Sequence, residues 1–354
     1  MTDPASERPK RRPRYRGKNP RQFHEKYKEH QPERYVDDVA KVIAGGKTPA
    51  GTHRPILVRE ILAVLTPQPG ETAVDCTLGY GGHASALLAA VQPGGRLLGV
   101  DTDPIELPKA ESRLRAIGFP AESLVVRRMN FAGILQFLAD VAPEGADVLL
   151  ADLGVSSMQL DNPTRGFTFK ADGPLDMRMN PEHGQSASAL LSQLDEAQFA
   201  QILSENSDEP HAAELANVIL RANRRTALTT TQALAEAIQT ACAKFGRDVE
   251  ADDAVRRVFQ TLRIEVNDEF GALTTFLRNL PACLKPGGRV AILTFHSGED
   301  RRVKLAFKNG LRDGIYSSIA TDVIRPTAEE QRANPRSSAA KLRFAVRRNP
   351  IAEE

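Results

Sequence analysis

The sequence contains 354 residues, of which 41% are hydrophobic, and its 47 Lys and Arg residues nearly balance its 45 Asp and Glu residues. This composition supports a sizeable buried core, so we expect a globular protein of one large domain with an insertion, or of two domains. Three widely spaced cysteines exclude a disulfide framework and a CxxC zinc site. Since no apolar stretch approaches the roughly 20 residues needed to cross a bilayer, we expect a cytoplasmic protein with neither a metal nor a membrane partner.

The charge is unevenly distributed along the chain. Residues 1–35 hold eleven Lys or Arg against five Asp or Glu, and residues 325–348 hold seven against two, whereas residues 36–324 are net acidic. Basic ends on an acidic body indicate contact with a polyanion from the periphery. A solvated tail that only aids solubility explains the N-terminal segment equally well. Residues 1–47 are rich in Pro, Arg, Lys, Gln and Glu, and we expect this extension to be disordered.

Beyond this extension, helix and strand patterns alternate. A first helix is predicted over 56–65, where apolar residues recur at helical spacing. Short apolar runs predict four strands, over 72–76, 96–100, 124–127 and 147–151. Helical patterns separate them, over 83–90, 104–116 and 131–141. A helix over 268–284, a turn over 285–288 and a strand over 289–295 follow later. This order predicts an α/β fold with a doubly wound, mostly parallel sheet covered on both faces.

The long interval before that last unit has little strand character. Residues 161–185 are rich in Gly and Pro and indicate an ordered loop. Ala/Leu/Glu-rich patterns predict four helices, over 188–205, 209–224, 230–245 and 252–266. Residues 229–231 supply N-cap residues for the third helix, and Pro210 suits the first turn of the second. We therefore predict a loop and helical insertion for substrate recognition over 161–261, with the α/β domain formed by 48–160 and 262–354.

A glycine-rich turn, with the sequence VDCTLGYGGHA over 74–84, follows the first strand. Bare backbone at such a turn allows the polar end of a cofactor to approach. The pattern from Gly79 through Gly81 also satisfies the dinucleotide fingerprint, and Asp101 follows about 20 residues later, so the turn alone does not choose between NAD and S-adenosyl-L-methionine. Asp75 favours the second, because a carboxylate attracts a sulfonium and an ammonium and repels a pyrophosphate. Acids that only cap the following helices are the alternative.

The ends of three further strands extend this predicted site. Asp101 ends the second strand and suits the two ribose hydroxyls of a nucleoside. Phe131, after the third strand, would offer a ring to the adenine, although a lone Phe at a strand end is more often part of the core. Asp152 ends the fourth strand. Because the carboxyl ends of parallel strands line the ligand crevice of a doubly wound sheet, Asp152 should face the reacting group.

Several longer motifs carry a family resemblance. They are DLGVSSMQLD from Asp152, RGFTF from Arg165, GPLDMRM from Gly173, FQTLRI from Phe259, VNDE from Val266 and FHSGEDR from Phe295. Together they closely resemble the RsmH (MraW) family, which methylates N4 of a decoding-centre (P-site) cytidine in bacterial 16S rRNA. The resemblance covers roughly residues 53–347. The chain departs from the family at Tyr80, where Gly or Arg is usual, and at Gly298, where Leu is usual. It also departs over 206–209, where Tyr-Gly-Glu-Glu is usual, and near 253–256, where His-Pro-Ala-Thr is usual.

The resemblance implies a class I S-adenosyl-L-methionine-dependent methyltransferase fold, Rossmann-like and interrupted by a helical subdomain. It also implies an rRNA (cytosine-N4)-methyltransferase whose partner is 16S rRNA in the small ribosomal subunit. The implied cofactor positions are Gly81, Gly82, His83, Asp101, Phe131, Asp152 and Gln159. To these we add Asp75 and Gly79 from the turn itself. We expect a monomer or a weak homodimer.

Methyl transfer to an amine nitrogen requires alignment of nitrogen, methyl carbon and sulfur, which removes roughly 7–11 kcal/mol of barrier. Asp152, or a nearby backbone carbonyl, would accept a hydrogen bond from the amine and localise its lone pair. His296 would position the base or relay a proton, and a histidine bonded to loop backbone is at least as good an explanation. The residues expected to contact the splayed-out RNA through stacking or phosphate binding are Arg165, Phe167, Phe169, Arg178, Phe295 and Arg301.

Three other functions are less favoured alternatives. A non-catalytic rRNA-binding assembly factor predicts RNA affinity without cofactor uptake. An NAD-dependent oxidoreductase is less favoured because of Asp75. A hydrolytic triad from His296, Ser297 and Asp300 is the least favoured, because neighbouring side chains diverge and the sequence has no Gly-x-Ser-x-Gly elbow.

Overall fold

The structure of the protein is a computed structural model that describes residues 55–245 and 250–350. The disorder predicted for residues 1–47 lies outside these ranges. Seven strands form one sheet in the order β3-β2-β1-β4-β5-β7-β6. In chain order they are β1 (Thr72–Asp75), β2 (Arg96–Asp101), β3 (Leu124–Arg128), β4 (Ala146–Asp152), β5 (Leu284–Thr294), β6 (Tyr316–Ile319) and β7 (Lys341–Arg347).

The pairings confirm the predicted doubly wound, mostly parallel α/β sheet. Strands β1 to β5 pair in parallel, and β7 is antiparallel to both β5 and β6. The strand order reverses at β1, which lies between β2 and β4. The carboxyl ends of these three strands therefore meet at the topological switch point, where open α/β sheets bind their ligands.

Thirteen α-helices accompany the sheet within the described ranges. They are α1 (Val58–Leu65), α2 (Gly82–Ala90), α3 (Leu107–Arg115), α4 (Ile134–Val141), α5 (Ser157–Asp161), α6 (Ala187–Gln193), α7 (Glu196–Ser207), α8 (Ala212–Arg225), α9 (Thr231–Phe245), α10 (Ala251–Val266), α11 (Glu269–Cys283), α12 (Ser297–Arg312) and α13 (Ala328–Ala333). Among these helices, none combines the length and the apolar character needed to cross a membrane.

Alternate side chains of the parallel strands enter two separate cores, as the two-residue period of a strand requires. Val74 and Leu149 pack with helices α4, α11 and α12 on one face. Ala73 and Leu150 pack with α1, α2 and α3 on the other. Both faces of the sheet are therefore covered, which explains why the strands appear in the sequence as continuous apolar runs.

A third core lies among the helices between β4 and β5. It contains buried side chains of α6 to α10 together with Phe167, Leu175 and Met177 from the preceding loop. The helix predicted over 188–205 is two helices, because Asp195 begins a new one: its side chain accepts a hydrogen bond from Gln198 N in a capping box. Thr230 caps α9 as predicted, accepting from Ala233 N.

Two predictions from the sequence are wrong: the place of Pro210 in a helix, and the separate turn over 285–288. Pro210 precedes α8, which begins at Ala212 after His211, and is not in its first turn. The residues 285–288 do not form a separate turn. They are an irregular part of β5, where the register with β4 moves from Ala146↔Leu284 to Val148↔Arg289.

Candidate active site

Three carboxylates lie at the ends of adjacent strands. Asp75 ends β1, Asp101 ends β2 and Asp152 ends β4. Asp75 is only 1% exposed. Its burial, with repulsion from Asp152 and Asp101, outweighs the attraction of His83 and raises its pKa to about 6. Burial likewise raises the pKa of Asp101. The parallel topology thus concentrates negative charge at one edge of the sheet, as the sequence predicted.

The glycine-rich turn connects β1 to α2 beside these carboxylates. Gly79 N donates to Asp101 Oδ2 over 2.7 Å, and Gly81 N donates to Leu78 O. Gly81 has φ +89°, a left-handed conformation that favours glycine, and it is the N-cap of α2. A Cβ on Gly82 would lie 2.9 Å from Pro55 Cγ. The turn is therefore compact, and it brings the N-terminus of α2 next to Asp101.

His83 joins this turn to Asp152. Its Nδ1 lies 3.3 Å from Asp152 Oδ2, and its Nε2 lies 2.8 Å from the carbonyl oxygen of Ile56. Burial opposes protonation, but the hydrogen bond and charge of Asp152, with help from Ile56 O and Asp75, raise the pKa of His83. Asp152 N donates to Thr77 Oγ1 over 2.7 Å. Asp152 Oδ1 is buried without a hydrogen-bond partner among the described residues.

Gln159 belongs to a buried network around Asp103, a residue that sequence analysis missed. Gln159 Nε2 and Arg165 Nη1 donate to Asp103 Oδ2 over 2.8 and 2.9 Å. Arg165 Nη2 also donates to the carbonyl oxygens of Arg178 and Met179. Because Arg165 is only 7% exposed, this placement does not favour the predicted RNA contact. The DTDP sequence was the available signal for Asp103, since Asp before Pro often begins a turn.

The rings predicted to stack on a nucleobase lie in different environments. Phe167 is buried in the helical core, and Phe169 is partly buried and packs against that core, edge-on to Phe259 with 5.3 Å between ring centroids. Phe131 is partly buried and packs edge-on against Phe276. Its role at the adenine remains a prediction.

Phe295 and His296 follow β5 and border the loop after Asp152. A Cβ on Gly154 would lie 3.6 Å from Phe295 Cδ2. His296 Nε2 lies 3.2 Å from Glu299 Oε1, and neither ring nitrogen has a well-aligned hydrogen bond within the described part of the chain. Glu299 was not predicted; although it is buried, His296, Arg263 and Phe295 N hold its pKa below its usual range. The prediction of a histidine bonded to loop backbone is therefore replaced by a histidine beside a buried carboxylate.

His296 and two carboxylates beside it have the ligand types and the spacing of a metal site. Ligand atoms of Glu269, His296 and Glu299 lie within 4.8 Å of one another. Arg263, however, donates two hydrogen bonds to Glu269, of 2.7 and 2.8 Å. Its guanidinium already supplies the positive charge that this cluster needs.

The remaining candidates for RNA contact are arginines with acidic partners. Arg178 donates to both carboxylate oxygens of Asp176. Arg301, which is 64% exposed, lies 3.2 Å from Asp208 at the end of α7. Among the departures from the family pattern, Gly298 has a packing reason, because a Cβ there would lie 2.6 Å from Phe270 Cζ.

Comparison with known proteins shows what this chain is similar to. A model of the MraW methylase family matches residues 50–348. Ribosomal RNA small subunit methyltransferase H 2 of Alkaliphilus metalliredigens is 47% identical over 349 residues, which is 98% of this chain and 99% of that protein. Ribosomal RNA small subunit methyltransferase H 1 of Lachnoclostridium phytofermentans is 47% identical over 96% of this chain and 93% of its own. The solved structure of a putative rRNA-methylase from Clostridium thermocellum, 11% identical, covers 84% of this chain and 99% of its own with a TM-score of 0.41.

Proposed function

This chain belongs to the MraW methylase family, and from that premise we propose that it methylates N4 of a decoding-centre (P-site) cytidine in 16S rRNA, giving N4-methylcytidine. S-adenosyl-L-methionine is its cofactor. Relatives named as small-subunit rRNA methyltransferases support an rRNA substrate, and we propose that the protein acts in the cytoplasm. The choice of N4 of cytidine is supported by the motif resemblance.

The observation that carries this proposal is the group of carboxylates of Asp75, Asp101 and Asp152. Their repulsion contributes to the raised pKa of Asp75, and a bound cation relieves it. A sulfonium with an ammonium supplies that cation, whereas a dinucleotide would bring a diphosphate of the same sign as the carboxylates. The residues present therefore fit S-adenosyl-L-methionine better than NAD.

We assign the cofactor to the turn between β1 and α2 and to the three strand ends around it. When bound, it supplies an electrophilic methyl group on a positively charged sulfur. Asp101 suits the ribose hydroxyls, because Gly79 N and Asp103 N already orient its two carboxylate oxygens. The proposed contacts are Asp75, Gly79, Gly81, Gly82, Asp101, Phe131, Asp152 and Gln159, together with the backbone of His83, whose ring nitrogens already face protein atoms.

The chemistry that the chain itself supplies is orientation of the target amine. Cytosine N4 is a poor nucleophile because its lone pair is delocalised into the ring, and a hydrogen bond accepted from the amine localises that pair. Asp152 is the proposed acceptor. Phe295 is the proposed stacking surface, worth about 1–3 kcal/mol per base, since it borders the loop after Asp152. We propose that His296 positions the base and relays the proton that N4 loses.

RNA docking is proposed for the insertion over 161–261, with the α/β domain formed by 48–160 and 262–354. A target base must be splayed out to reach the strand ends. Arg178 and Arg301 are the better candidates for phosphate contact, because each is at least partly exposed, unlike Arg165. The affinity of such contacts decreases as salt increases.

Mass spectrometry of nucleosides tests the assignment most directly. Small subunits that lack the modification are incubated with the protein and S-adenosyl-L-methionine, and their 16S rRNA is digested. We expect N4-methylcytidine only when protein and cofactor are both present. A different methylated nucleoside would contradict the N4 assignment, and RNA binding without S-adenosylhomocysteine uptake in calorimetry would favour the assembly factor.

A further inference from the structure

The imidazole of His83 lies between a backbone carbonyl and the proposed catalytic carboxylate. Its Nε2 is 2.8 Å from Ile56 O, and its Nδ1 is 3.3 Å from Asp152 Oδ2. A carbonyl oxygen only accepts hydrogen bonds, so Nε2 carries a hydrogen. In the neutral ring Nδ1 is then an acceptor that faces a second acceptor, which is repulsive unless a proton lies between them. His83 and Asp152 therefore share one proton.

We propose that His83 is a positioning residue whose shared proton holds the carboxylate of Asp152 in one orientation at the end of β4. The inference rests on the proposed function, because it assumes that Asp152 contacts the target amine. His83 acts through Asp152 and does not itself touch the base. Its role differs from the cofactor contact that the family resemblance implies, because both of its ring nitrogens already face protein atoms.

Hydrogen bonds from other segments fix the two groups that contact the ring of His83. Asp152 N is bonded to Thr77 Oγ1, so the backbone beneath the carboxylate is fixed. Next to Ile56, Leu57 has φ +57° and its N–H donates to Glu330 Oε1 over 2.8 Å. A left-handed leucine is strained, and such strain persists only where surrounding contacts impose it. The C-terminal segment thus helps to place the carbonyl that orients the ring of His83.

The charged groups that face His83 are Asp152 from β4 and Asp75 from β1, and Asp101 from β2 acts on Asp75. Asp152 and Asp75 favour the protonated ring and raise the pKa of His83. The shared proton is present below that raised pKa and is lost as the pH rises through it. Catalysis that depends on the proton should therefore decline on the alkaline side.

Three variants of the full chain separate positioning from the alternatives. His83→Leu removes both hydrogen bonds, and we expect kcat to fall about 10- to 100-fold, the scale of the loss when a partner that orients a metal ligand is removed. His83→Asn keeps a donor near Asp152 that does not titrate, so it should restore most of kcat and lack the alkaline decline. The exposed His183 provides the matched control His183→Asn, which should keep the wild-type profile. S-adenosylhomocysteine affinity should be unchanged throughout.

The outcomes are distinguishable. A rise in the Kd for S-adenosylhomocysteine that matches the loss of kcat would make the His83 side chain a cofactor contact and overturn the proposal. An alkaline decline that is unchanged in His83→Asn would also overturn it. Wild-type protein without methyl transfer would instead overturn the proposed function. Long-range proton–nitrogen NMR adds a readout independent of activity: Nε2 of His83 should carry hydrogen, and Asp152→Asn should lower the pKa of His83. An unshifted pKa would refute the shared proton even if His83→Leu fails to fold.

Discussion

Arg165 and Asp103 form an ion pair in which both side chains are almost fully buried, with 2.9 Å between Arg165 Nη1 and Asp103 Oδ2. The pair joins the loop that follows α5 to the end of β2, where Asp101 lies. A buried ion pair is costly to form, but removing one partner is costlier, because the other charge remains buried and unpaired. This pair therefore connects the stability of the loop to the shape of the candidate active site.

Arg165→Met should destabilise the protein by about 3–5 kcal/mol, the usual cost of breaking a buried pair. The control is Arg301→Met, because the ion pair of Arg301 with Asp208 is exposed and such pairs contribute about 0–1 kcal/mol. Urea unfolding followed by circular dichroism measures both. If Arg165→Met keeps wild-type stability and only weakens RNA binding, the original prediction of an RNA contact is right.

Asp152→Ala should abolish methyl transfer, because the amine loses its hydrogen-bond acceptor and His83 loses its partner. The measurement is transfer of labelled methyl to small subunits lacking the modification. Circular dichroism should show an intact fold, since the side chain of Asp152 is 28% exposed and its backbone remains in β4. Full activity in this variant would remove Asp152 from the reaction.

The affinity for S-adenosyl-L-methionine should increase as the pH rises through about 6, the pKa of Asp75. Deprotonation creates the negative charge that attracts the cofactor's cations. Asp75→Asn should flatten this dependence and weaken binding. Calorimetry between pH 5 and pH 8, in steps of about one pH unit on either side of the Asp75 pKa, tests both statements. Equal affinity across that range would contradict a cofactor contact at Asp75.

The buried carboxyl of Asp75 should also lower the free energy of unfolding at neutral pH. Its pKa is raised from 3.8 to about 6 on folding, so the folded state binds the proton more tightly. The stability from that proton is fully present below pH 3.8 and is lost as the pH rises through about 6. Asp75→Asn should therefore stabilise the protein without cofactor at pH 7 by about 1–3 kcal/mol. Urea unfolding at pH 5 and pH 7 should show the larger gain at the higher pH, and a loss of stability at both would contradict the assigned burial cost.

Phe295→Leu should lower kcat/KM for the RNA substrate, because it removes a stacking interaction worth about 1–3 kcal/mol per base. The affinity for the cofactor should be unchanged. Phe169→Leu is the matched control, because Phe169 packs against Phe259 in the helical core. Its main effect should be on unfolding. The opposite pattern would move the stacking surface from Phe295 to Phe169.

The fold and the place of the site were predictable from the sequence. Buried parallel strands appear as short apolar runs, and helices between them as periodic ones, so the alternation alone indicates a doubly wound sheet. In such a sheet the residues directly after adjacent strands share one edge. The meeting of Asp75, Asp101 and Asp152 therefore followed from their positions along the chain.

Tertiary structure alone decided which side chains meet inside and beside that site. Arg165 and Asp103 are 62 positions apart, and nothing in either local sequence distinguishes a buried arginine from one that contacts RNA. His83 likewise meets Ile56 O and Asp152 only because α2 packs against β1 and β2 and places its first turn beside the end of β4. Local patterns report which face of a strand or helix is apolar, whereas the partner of a polar side chain depends on where distant segments pack. The sequence by itself thus determined the sheet and its acidic edge, and the packing of the loop and the two ends of the described chain determined the hydrogen bonds that orient it.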